Sequence, residues 1–460
     1  MAKHEYDVIV LGAGSTGTVL AGRTAGNGLE TAIVEPHLVG GECSYYACMP
    51  SKALLRPAEA LDELERVPGA REALDGEPAV DAQATLDRRD EVTHEGDDSG
   101  QAEWLEKNEI SLHRGAGRLD GELTVRVGDD VLTARKAVVL ATGTTAKIPP
   151  IDGLADAEPW TNREATWAKS VPGSLIVLGG GNVGAELSQA FATLGSKVTL
   201  IEGSGRILGR EEAFASEQVT EAHRARGIDV RLGARADRVT RDGGGVTVEL
   251  EDGDAVSADE ILVAIGRDPN SNAIGLDSVE LGELEGEFIE VDDQMRVRGS
   301  DWLFCAGDLN GRSLLTHMGK HQSRQLGDII AGHEGLEVRE DLAGVPQVTF
   351  TDPQVASVGL KSFEAAEQGL NHRIVDQVTS LTAGASFHGK DSGGTSRIIV
   401  DEDRKVIVGA TFVGPEVGEW LHAATIAIQG EVPLQTLWRS VVAYPTRSEI
   451  WLKLLEEYGL

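Results

Sequence analysis

The chain has 460 residues, of which 41% are hydrophobic and 25% charged, a composition typical of a soluble globular protein with several domains. Its 75 acidic and 42 basic side chains give a formal net charge of −33, which repels nucleic acids and anionic membranes, so neither is an expected partner. No run approaches the ~18 apolar residues of a membrane helix. Three cysteines are too few for a disulfide framework, and the first strand leaves no room for a secretory signal, so we expect a cytoplasmic protein.

A nucleotide-binding signature opens the chain. The predicted strand Tyr6–Leu11 leads into the sequence GAGSTG, and the following strand ends before an acid, Glu35. In this pattern Gly12 permits a tight turn, Gly14 lets the backbone approach a pyrophosphate, and Gly17 lets helix and strand pack closely. The pyrophosphate then lies at the positive end of a helix, and the acid accepts hydrogen bonds from a ribose.

The same signature occurs a second time. The predicted strand Ser174–Leu178 leads into GGGNVG, whose motif glycines are Gly179, Gly181 and Gly184, and the next strand ends before Glu202. In both copies 23 residues separate the first glycine from the acid. A single GxGxxG is weak evidence, but two copies with the same context predict two dinucleotide sites rather than two ordinary turns.

The segments between and around these motifs predict the first domain. Residues from Pro57 to Lys107 are rich in Ala, Leu, Glu and Arg and predict helices. The alternation in Arg118–Leu132 predicts a small antiparallel meander, and Lys136–Ala141 predicts a buried strand. The two prolines in Ile148–Ile151 mark a break in regular structure.

Beyond the second motif, Glu260–Ile265 and Trp302–Ala306 predict strands, and a helix follows toward Gly332. From about Leu342 the pattern changes to strands, helices and a hairpin at Ile398–Phe412. The sequence therefore predicts an α/β fold with two Rossmann-like dinucleotide-binding domains and a C-terminal α+β domain. The predicted domain limits are 1–149 with a completing segment at about 281–338, then 150–280, and last 339–460.

A cysteine pair follows the first ribose-binding acid. Cys43 and Cys48 stand five residues apart directly after Gly40 and Gly41. Five residues is not a same-face helical spacing, so a disulfide between them requires a distorted first turn. Two buried structural cysteines are the plain alternative, but the position of the pair favours a dithiol that exchanges as a thiolate. Cys305 lies inside an apolar strand and is expected in the core.

With these motifs in this order, the whole chain resembles the flavoprotein pyridine nucleotide–disulfide oxidoreductases, a family that includes dihydrolipoyl dehydrogenase, glutathione reductase and mercuric reductase. The residues that carry the resemblance are, in order, GAGSTG, GGxCxxxxCxPSK, ATG, GGGxxGxE, GRxPN, Gly307-Asp308, Thr351-Asp352-Pro353 and Pro445-Thr446-Arg447-Ser448-Glu449. The resemblance implies FAD on the first fold, NADH or NADPH on the second, and a homodimer built by the C-terminal domain.

The resemblance also assigns roles to residues. Cys48 would lie beside the flavin and Cys43 would exchange with substrate, while Lys52 would lie near the reactive flavin nitrogen and pair with Glu186. Asp308 would hold the ribityl chain. The implied FAD-binding residues are Gly12, Gly14, Ser15, Gly17, Glu35, Gly41, Lys52, Thr142, Gly143 and Asp308. The implied NAD-binding residues are Gly179, Gly181, Gly184, Glu186, Glu202, Gly266 and Arg267. The expected catalytic residues are Cys43, Cys48, Lys52, Glu186, Tyr444 and Glu449, and no metal is expected.

The chain departs from the family at its catalytic histidine, where it carries Tyr444. A phenol has an ordinary pKa of ~10 against ~6.5 for imidazole, and losing a positioned base typically costs ~10²–10⁴ in rate. Tyr444 either donates a hydrogen bond to a developing anion, oriented by Glu449, or fills space where catalysis has been lost. Mercuric reductase has a tyrosine near this point, but it needs a second C-terminal cysteine pair that this chain lacks.

Smaller departures bear on the thiols and the reductant. Glu42 replaces the usual threonine before Cys43, and a carboxylate there should raise the thiol pKa. Glu202 favours NADH, although Arg206 and Arg210 are near enough in sequence to accommodate NADPH. Asn182, also at this second motif, replaces an aromatic lid and predicts a more open nicotinamide pocket.

Three functions remain open from the sequence. The leading prediction is an FAD enzyme that passes electrons from NAD(P)H to a Cys43–Cys48 disulfide and on to a disulfide or related electrophile, a small-molecule electron acceptor. The second is a quinone, dye or metal-ion reductase that uses the flavin more directly. The third is the flavoprotein component of a 2-oxo-acid dehydrogenase assembly, or a redox-sensing binding protein.

Overall fold

The computed structural model describes residues 3–74, 76, 79–339, 344–389 and 393–460. By their contacts these residues form two compact units. The first unit contains Met1–Pro50, Asp90–Lys147 and Gly266–Leu342, and the second contains Ser51–Arg89, Ile148–Ile265 and Ala343–Leu460. The domain limits derived from the sequence stay a prediction.

The strands, in chain order, are β1 Lys3–Leu11, β2 Thr31–Glu35, β3 Ser111–Arg114, β4 Gly117–Leu119, β5 Thr124–Val127, β6 Asp130–Leu140, β7 Thr144–Ala146, β8 Ser174–Leu178, β9 Lys197–Glu202, β10 Asp229–Leu232, β11 Ala236–Asp242, β12 Gly245–Leu250, β13 Ala255–Ala258, β14 Glu260–Val263, β15 Arg267–Pro269, β16 Leu303–Cys305, β17 Gln347–Thr349, β18 Gln354–Gly359, β19 His372–Val378, β20 Thr395–Asp401 and β21 Val406–Gly414. The α-helices are α1 Ser15–Gly26, α2 Gly41–Tyr45, α3 Cys48–Arg66, α4 Ala82–Val92, α5 Ser99–Lys107, α6 Asn162–Thr166, α7 Asn182–Thr193, α8 Ala213–Ala225, α9 Thr316–Ile330, α10 Ser362–Glu367, α11 Leu421–Gln429, α12 Leu434–Arg439 and α13 Ile450–Tyr458.

The first unit is built on a sheet with the order β3-β2-β1-β6-β5-β4, and β16 pairs with β6. Strands β3, β2, β1, β6 and β16 are parallel, whereas β4, β5 and β6 form the predicted antiparallel meander. Side chains of β1 alternate between two hydrophobic clusters, with Ile9 and Leu11 in one and Val8 and Val10 in the other. Burial on both faces explains why Val8–Leu11, the C-terminal half of β1, is continuously apolar, as expected of a parallel strand.

The second unit repeats this plan and adds to it. Its parallel sheet has the order β10-β9-β8-β14, and the side chains of β8 alternate between two cores in the same way. The chain between β10 and β14 forms a separate three-stranded sheet with the order β11-β12-β13. An antiparallel sheet, β17-β18-β21-β20-β19, carries α11 and α13 and contains the predicted hairpin as β20 and β21.

The predictions for individual elements are largely confirmed. The helical region after Pro57 contains most of α3 and all of α4 and α5. Two predicted strands end earlier than expected, because β14 stops at Val263 and β16 at Cys305. Each end is followed within three residues by a glycine of positive φ, Gly266 or Gly307. Cys305 is fully buried in the core, as predicted. In the described part of the chain, no helix has the length and apolar character needed to cross a membrane.

Candidate functional site

The first nucleotide loop joins β1 to α1 in the first unit. Gly12 has φ of 102°, and a Cβ on Gly17 would lie 1.9 Å from the Gly12 carbonyl oxygen, so backbone conformation and close packing explain these two glycines. Gly14 differs, because a Cβ there would meet nothing within 4 Å and its φ of −68° suits any residue. The open space at Gly14 lies at the start of α1, where no side chain caps the helix.

The acid of this motif is held by the loop. The Glu35 carboxylate accepts hydrogen bonds from the backbone N–H of Ala13, at 2.8 Å, and of His37, also at 2.8 Å. Glu35 thereby brings the end of β2 against the glycine turn, beside the start of α1. This is the position that a ribose-binding acid requires.

The second loop, between β8 and α7 in the second unit, has the same geometry. Gly179 has φ of 101°, and a Cβ on Gly184 would lie 1.8 Å from the Gly179 carbonyl oxygen, whereas a Cβ on Gly181 would meet nothing within 4 Å. The Glu202 carboxylate accepts hydrogen bonds from the backbone N–H of Gly180 (2.6 Å) and Ser204 (2.7 Å).

Both loops therefore fit a dinucleotide phosphate. Backbone conformation and packing require the first and third glycines. They do not require a glycine at the second position, Gly14 or Gly181, where a Cβ would contact nothing in the chain. An uncapped helix start offers free N–H groups and a partial positive charge, the features that bind phosphate. A missing Cβ at that point leaves room for the phosphate to approach the backbone.

The cysteine pair lies in the first unit, on the short helix α2 and at the start of the long helix α3. Cys43 belongs to α2, and Cys48 begins α3 after Tyr46 leaves helical conformation with φ of −129°. This break is the distortion that the five-residue spacing predicts. Both cysteines are half-buried free thiols, and the two thiols are close enough that Cys48 is the first cause of the raised pKa of Cys43. Their contact places them close enough to interconvert between a dithiol and a disulfide.

The start of helix α9 faces these thiols. The Thr316 hydroxyl lies 3.3 Å from the Cys48 Sγ, although the two residues are 268 apart in sequence. The pKa of the Cys43 thiol is raised, first by its hydrogen bond to Cys48 and then by burial, while a hydrogen bond from Thr316 and the charge of Lys320 lower it. Sequence reasoning missed both Thr316 and Lys320.

Glu42 is not one of the main causes of the raised pKa of the Cys43 thiol. The thiol pKa is raised as predicted, but its main causes are Cys48 and burial. Glu42 lies 3.6 Å from the Arg267 guanidinium, and Arg267 donates hydrogen bonds to the Thr144 hydroxyl (2.6 Å) and carbonyl (2.7 Å). Arg267 was predicted for the NAD site, but the structure brings it together with residues of the first unit; its cofactor assignment stays a prediction.

Asp308 belongs to the same cluster. Its carboxylate accepts a hydrogen bond from the Thr144 hydroxyl at 2.9 Å. Burial raises the pKa of the Asp308 carboxyl, the hydrogen bond and Arg267 lower it, and the charge of Glu42 raises it further. The neighbouring segment turns at Gly143, with φ of 69°, and Thr142 donates to the Asn270 carbonyl at 2.7 Å. Thr142, Gly143 and Asp308 therefore lie near one another in the first unit, as their predicted common role requires.

Lys52 and Glu186 form an ion pair within the second unit. The Lys52 ammonium lies 2.7 Å from Glu186 Oε2, and the other carboxylate oxygen accepts a hydrogen bond from the Phe350 N–H at 2.9 Å. The Lys52 nitrogen also lies 4.7 Å from the centre of the Phe350 ring. Phe350, which directly precedes the TDP motif, was missed from the sequence. Its backbone and its ring both help to position the pair.

Tyr444 and Glu449 lie in the second unit but play different parts. Tyr444 is 78% exposed, and in the described ranges no hydrogen bond joins it to Glu449. Glu449 is buried and accepts hydrogen bonds from the N–H of Thr446 (3.2 Å) and Gly384 (3.4 Å), so it stabilises the turn after the proline. The prediction that Glu449 orients Tyr444 thus finds no support in this chain's own contacts.

Comparisons with known proteins find related sequences over nearly the whole chain. The family model described as pyridine nucleotide-disulphide oxidoreductase matches residues 6–323, and the model of the dimerisation domain of the same family matches residues 345–455. The dihydrolipoyl dehydrogenase of Haloferax volcanii is 31% identical over 98% of this chain and 95% of its own length. That of Mycobacterium tuberculosis is 33% identical over 96% of each chain.

Solved structures show the same fold. The HOCl-induced flavoprotein disulfide reductase RclA from Escherichia coli, solved as a Cu(II) complex, superimposes with a TM-score of 0.87 at 23% identity and covers 99% of both chains. LpdA from Mycobacterium tuberculosis gives a TM-score of 0.87 at 24% identity and covers 99% of this chain and all of its own.

Proposed function

The chain belongs to the pyridine nucleotide–disulphide oxidoreductases, and we propose that it passes electrons from NADH through FAD to a Cys43–Cys48 disulfide and on to a small-molecule disulfide. Membership makes it an FAD-dependent NAD(P)H oxidoreductase, and the dimerisation-domain match supports a homodimer. The observation that carries the finer proposal is the closeness of the Cys43 and Cys48 thiols, whose mutual interaction is the first cause of the raised pKa of Cys43.

The cofactors supply the reducing power. FAD and nicotinamide, when bound, provide the two-electron reduction that opens the Cys43–Cys48 disulfide. The protein holds the phosphates of these cofactors at the starts of α1 and α7, where Gly14 and Gly181 leave room. We assign Glu35 and Glu202 to the two riboses. Glu202 favours NADH, because a carboxylate repels a 2′-phosphate.

The exchange itself needs only the two thiols and the substrate. Cys43 gives up its proton, and its thiolate attacks one sulfur of the substrate disulfide, which forms a mixed disulfide and releases the first product thiolate to be protonated. Cys48 then gives up its proton and attacks the Cys43 sulfur. The second product leaves as a thiolate and is protonated, and the Cys43–Cys48 disulfide is restored. Two thiols are oxidised and one substrate disulfide is reduced.

The environment of the dithiol favours one class of substrate. The raised pKa of Cys43 keeps the thiolate fraction low at neutral pH, and Tyr444 stands where relatives place a histidine base. A leaving thiol of low pKa departs without help from an acid. We therefore propose that disulfides which release an aromatic thiol, or another thiol of low pKa, are better substrates than lipoamide. The kcat/KM ratio of 5,5′-dithiobis(2-nitrobenzoate) to lipoamide tests this, and a ratio below one contradicts it.

Differential alkylation tests the role of the cysteines. The oxidised enzyme is treated anaerobically with one equivalent of NADH, unfolded in iodoacetamide and analysed by mass spectrometry. We expect NADH to increase alkylation at Cys43 and Cys48 together and to leave Cys305 unchanged as an internal control. If NADH bleaches the flavin but exposes no new thiol at either position, the dithiol lies outside the electron path.

A direct acceptor is the second candidate. Val183, in the second nucleotide loop, is 42% exposed, so the start of α7 stays accessible within the second unit. An open loop suits a small quinone, dye or metal ion that takes electrons without the thiols. Quinone reduction that persists at full rate in the Cys43→Ser/Cys48→Ser double variant would favour this function. Its loss in the double variant would favour the dithiol path.

A further inference from the structure

A groove of about 580 Å³ lies on the helical side of the first unit. It is formed by α1, α5 and α9, and among the described residues its lining contains none of those assigned above to FAD. The volume falls within the range of sites that bind small molecules. The catalytic residues of the proposed function do not line this groove, so it has no role in the chemistry described above.

One wall of the groove is aromatic. Trp104, on α5, is 43% exposed, and a Cβ on Gly22 would lie only 2.8 Å from the tip of its six-membered ring. A glycine inside a helix costs about 0.5–1 kcal/mol relative to alanine. At Gly22 the absence of a side chain lets the indole rest directly on α1. The result is a flat apolar surface that is still accessible from the groove.

The opposite side offers a positive charge. Arg324, on α9, is exposed and donates one long hydrogen bond, 3.4 Å, to the Lys320 carbonyl. No carboxylate lies within ion-pair distance of Arg324 in the part of the chain that the structure describes. Arg23, which also lines the groove, is already paired with Asp328 at 2.6 Å. In a chain of net charge −33, a guanidinium without a carboxylate partner favours an anionic ligand.

We propose that this groove binds a small planar aromatic carboxylate, with its ring against Trp104 and its carboxylate on Arg324, and that binding changes the reactivity of Cys43. The ring surface and the guanidinium match the two parts of such a ligand. The groove can take it without displacing a described ion pair. The binding step stands independently of the redox chemistry, whereas the effect on Cys43 rests on the proposed function.

A hydrogen bond connects the groove to α2, the helix that carries Cys43. Gln101 lines the groove, and its Nε2 donates to the Tyr45 hydroxyl at 3.0 Å. Tyr45 is 1% exposed, and its hydroxyl donates to the carbonyl of Val39, another lining residue, at 3.3 Å. Tyr45 ends α2, two residues after Cys43. A ligand that moves Gln101 therefore shifts the anchor of the helix that carries the thiol.

Binding is tested by calorimetric titration of the homodimeric holoenzyme with naphthalene-2-carboxylate. We expect saturable binding that weakens about tenfold in Arg324→Met, the usual effect of losing one partly exposed charge-assisted contact. Trp104→Ala should weaken it similarly, and Trp104→Phe should retain most of it. The control Arg238→Met removes an exposed arginine of the second unit with the same loss of charge and should bind as the wild type does.

Neutral naphthalene-2-carboxamide separates charge from general apolar binding. The amide should bind wild type as weakly as the acid binds Arg324→Met. Equal affinity of the wild type for acid and amide, equal affinities of Arg324→Met and Arg238→Met for the acid, or no saturation at millimolar acid would each overturn the site.

The coupling is tested on enzyme reduced with dithiothreitol, so that it does not depend on NADH oxidation. Saturating naphthalene-2-carboxylate should change the rate of Cys43 alkylation by iodoacetamide at least twofold in wild type. Tyr45→Phe should bind the acid equally but show no change, because its ring lacks the hydroxyl that Gln101 contacts. An unchanged rate in wild type, or the same change in Tyr45→Phe, would overturn the coupling while leaving the binding result intact.

Discussion

Replacing Thr316 by valine tests how the dithiol is activated. The substitution keeps the shape of the side chain but removes the hydroxyl that lies 3.3 Å from Cys48 Sγ and that lowers the pKa of Cys43. A hydrogen bond to a charged group contributes ~1.5 kcal/mol or more when buried, and one pKa unit corresponds to 1.36 kcal/mol. The thiols are only half-buried, so we expect Thr316→Val to raise the pKa for the first ionisation of the dithiol pair by about 0.5–1 unit.

The magnitude of the rate effect follows from two opposing changes. A pKa higher by about 0.5–1 unit reduces the thiolate fraction at pH 7 by about 3- to 10-fold, but a more basic thiolate is also more nucleophilic, with a Brønsted coefficient of about 0.4–0.5. Combining both, alkylation at pH 7 should slow by about two- to fourfold. At pH values above the ionisation, where both enzymes are fully ionised, alkylation of the variant should be faster by about two- to threefold.

The assay is the rate of carbamidomethylation of Cys43 against pH in enzyme reduced with dithiothreitol. The crossing of the two pH profiles is the signature of a pKa effect, because a loosened site would raise the rate at every pH. Thr316→Ser retains the hydroxyl and should follow the wild-type profile. A Thr316→Val profile that superimposes on wild type, or that lies above it throughout, would refute the assignment of Thr316.

Three further predictions concern the cofactor loops and the ion pair. Gly14→Ala should fold with an unchanged melting temperature but bind FAD at least tenfold more weakly by fluorescence titration, because its Cβ enters open space where we place the phosphate; Gly17→Ala should instead lose stability, since its Cβ would lie 1.9 Å from a carbonyl oxygen. Glu186→Gln should lower kcat about tenfold with little change in the KM for NADH, because Lys52 loses the anion 2.7 Å away; an unchanged kcat contradicts its role. Glu202→Gln should raise kcat/KM for NADPH relative to NADH, and an unaltered ratio would show that this acid does not discriminate.

Much of the fold follows from local pattern. Each glycine motif lies between a strand and a helix because its first and third glycines meet steric needs within about six residues of each other, and both copies adopt the same loop. The ends of strands are predicted less exactly, as for β14 at Val263 and β16 at Cys305, because a strand ends where its pairing partner ends. The break between Cys43 and Cys48 was also predictable, since a five-residue spacing does not fit one face of a helix.

The surroundings of the thiols were not predictable in this way. Thr316 reaches Cys48 across 268 residues, and Arg267 reaches Glu42 across more than 200. No local pattern records such pairs. The Arg267 pair arises because β15 pairs with β7, and the Thr316 contact arises because β16 returns to pair with β6 and brings the chain that follows it back to the first unit's sheet. Tyr444 shows the same limit, since its spacing from Glu449 suggested a pair that the fold does not form within one chain.

Local sequence was enough to predict the two glycine loops, the helix break between the two cysteines and the family to which the chain belongs, because these depend on residues close together in the chain. The groups that face the thiols, the pairing of Glu42 with Arg267, and the groove lined by Trp104, Gln101 and Arg324 became visible only in the folded chain. Those arrangements depend on the order in which distant strands join a sheet and on how helices pack over it, and neither is encoded in any single stretch of residues.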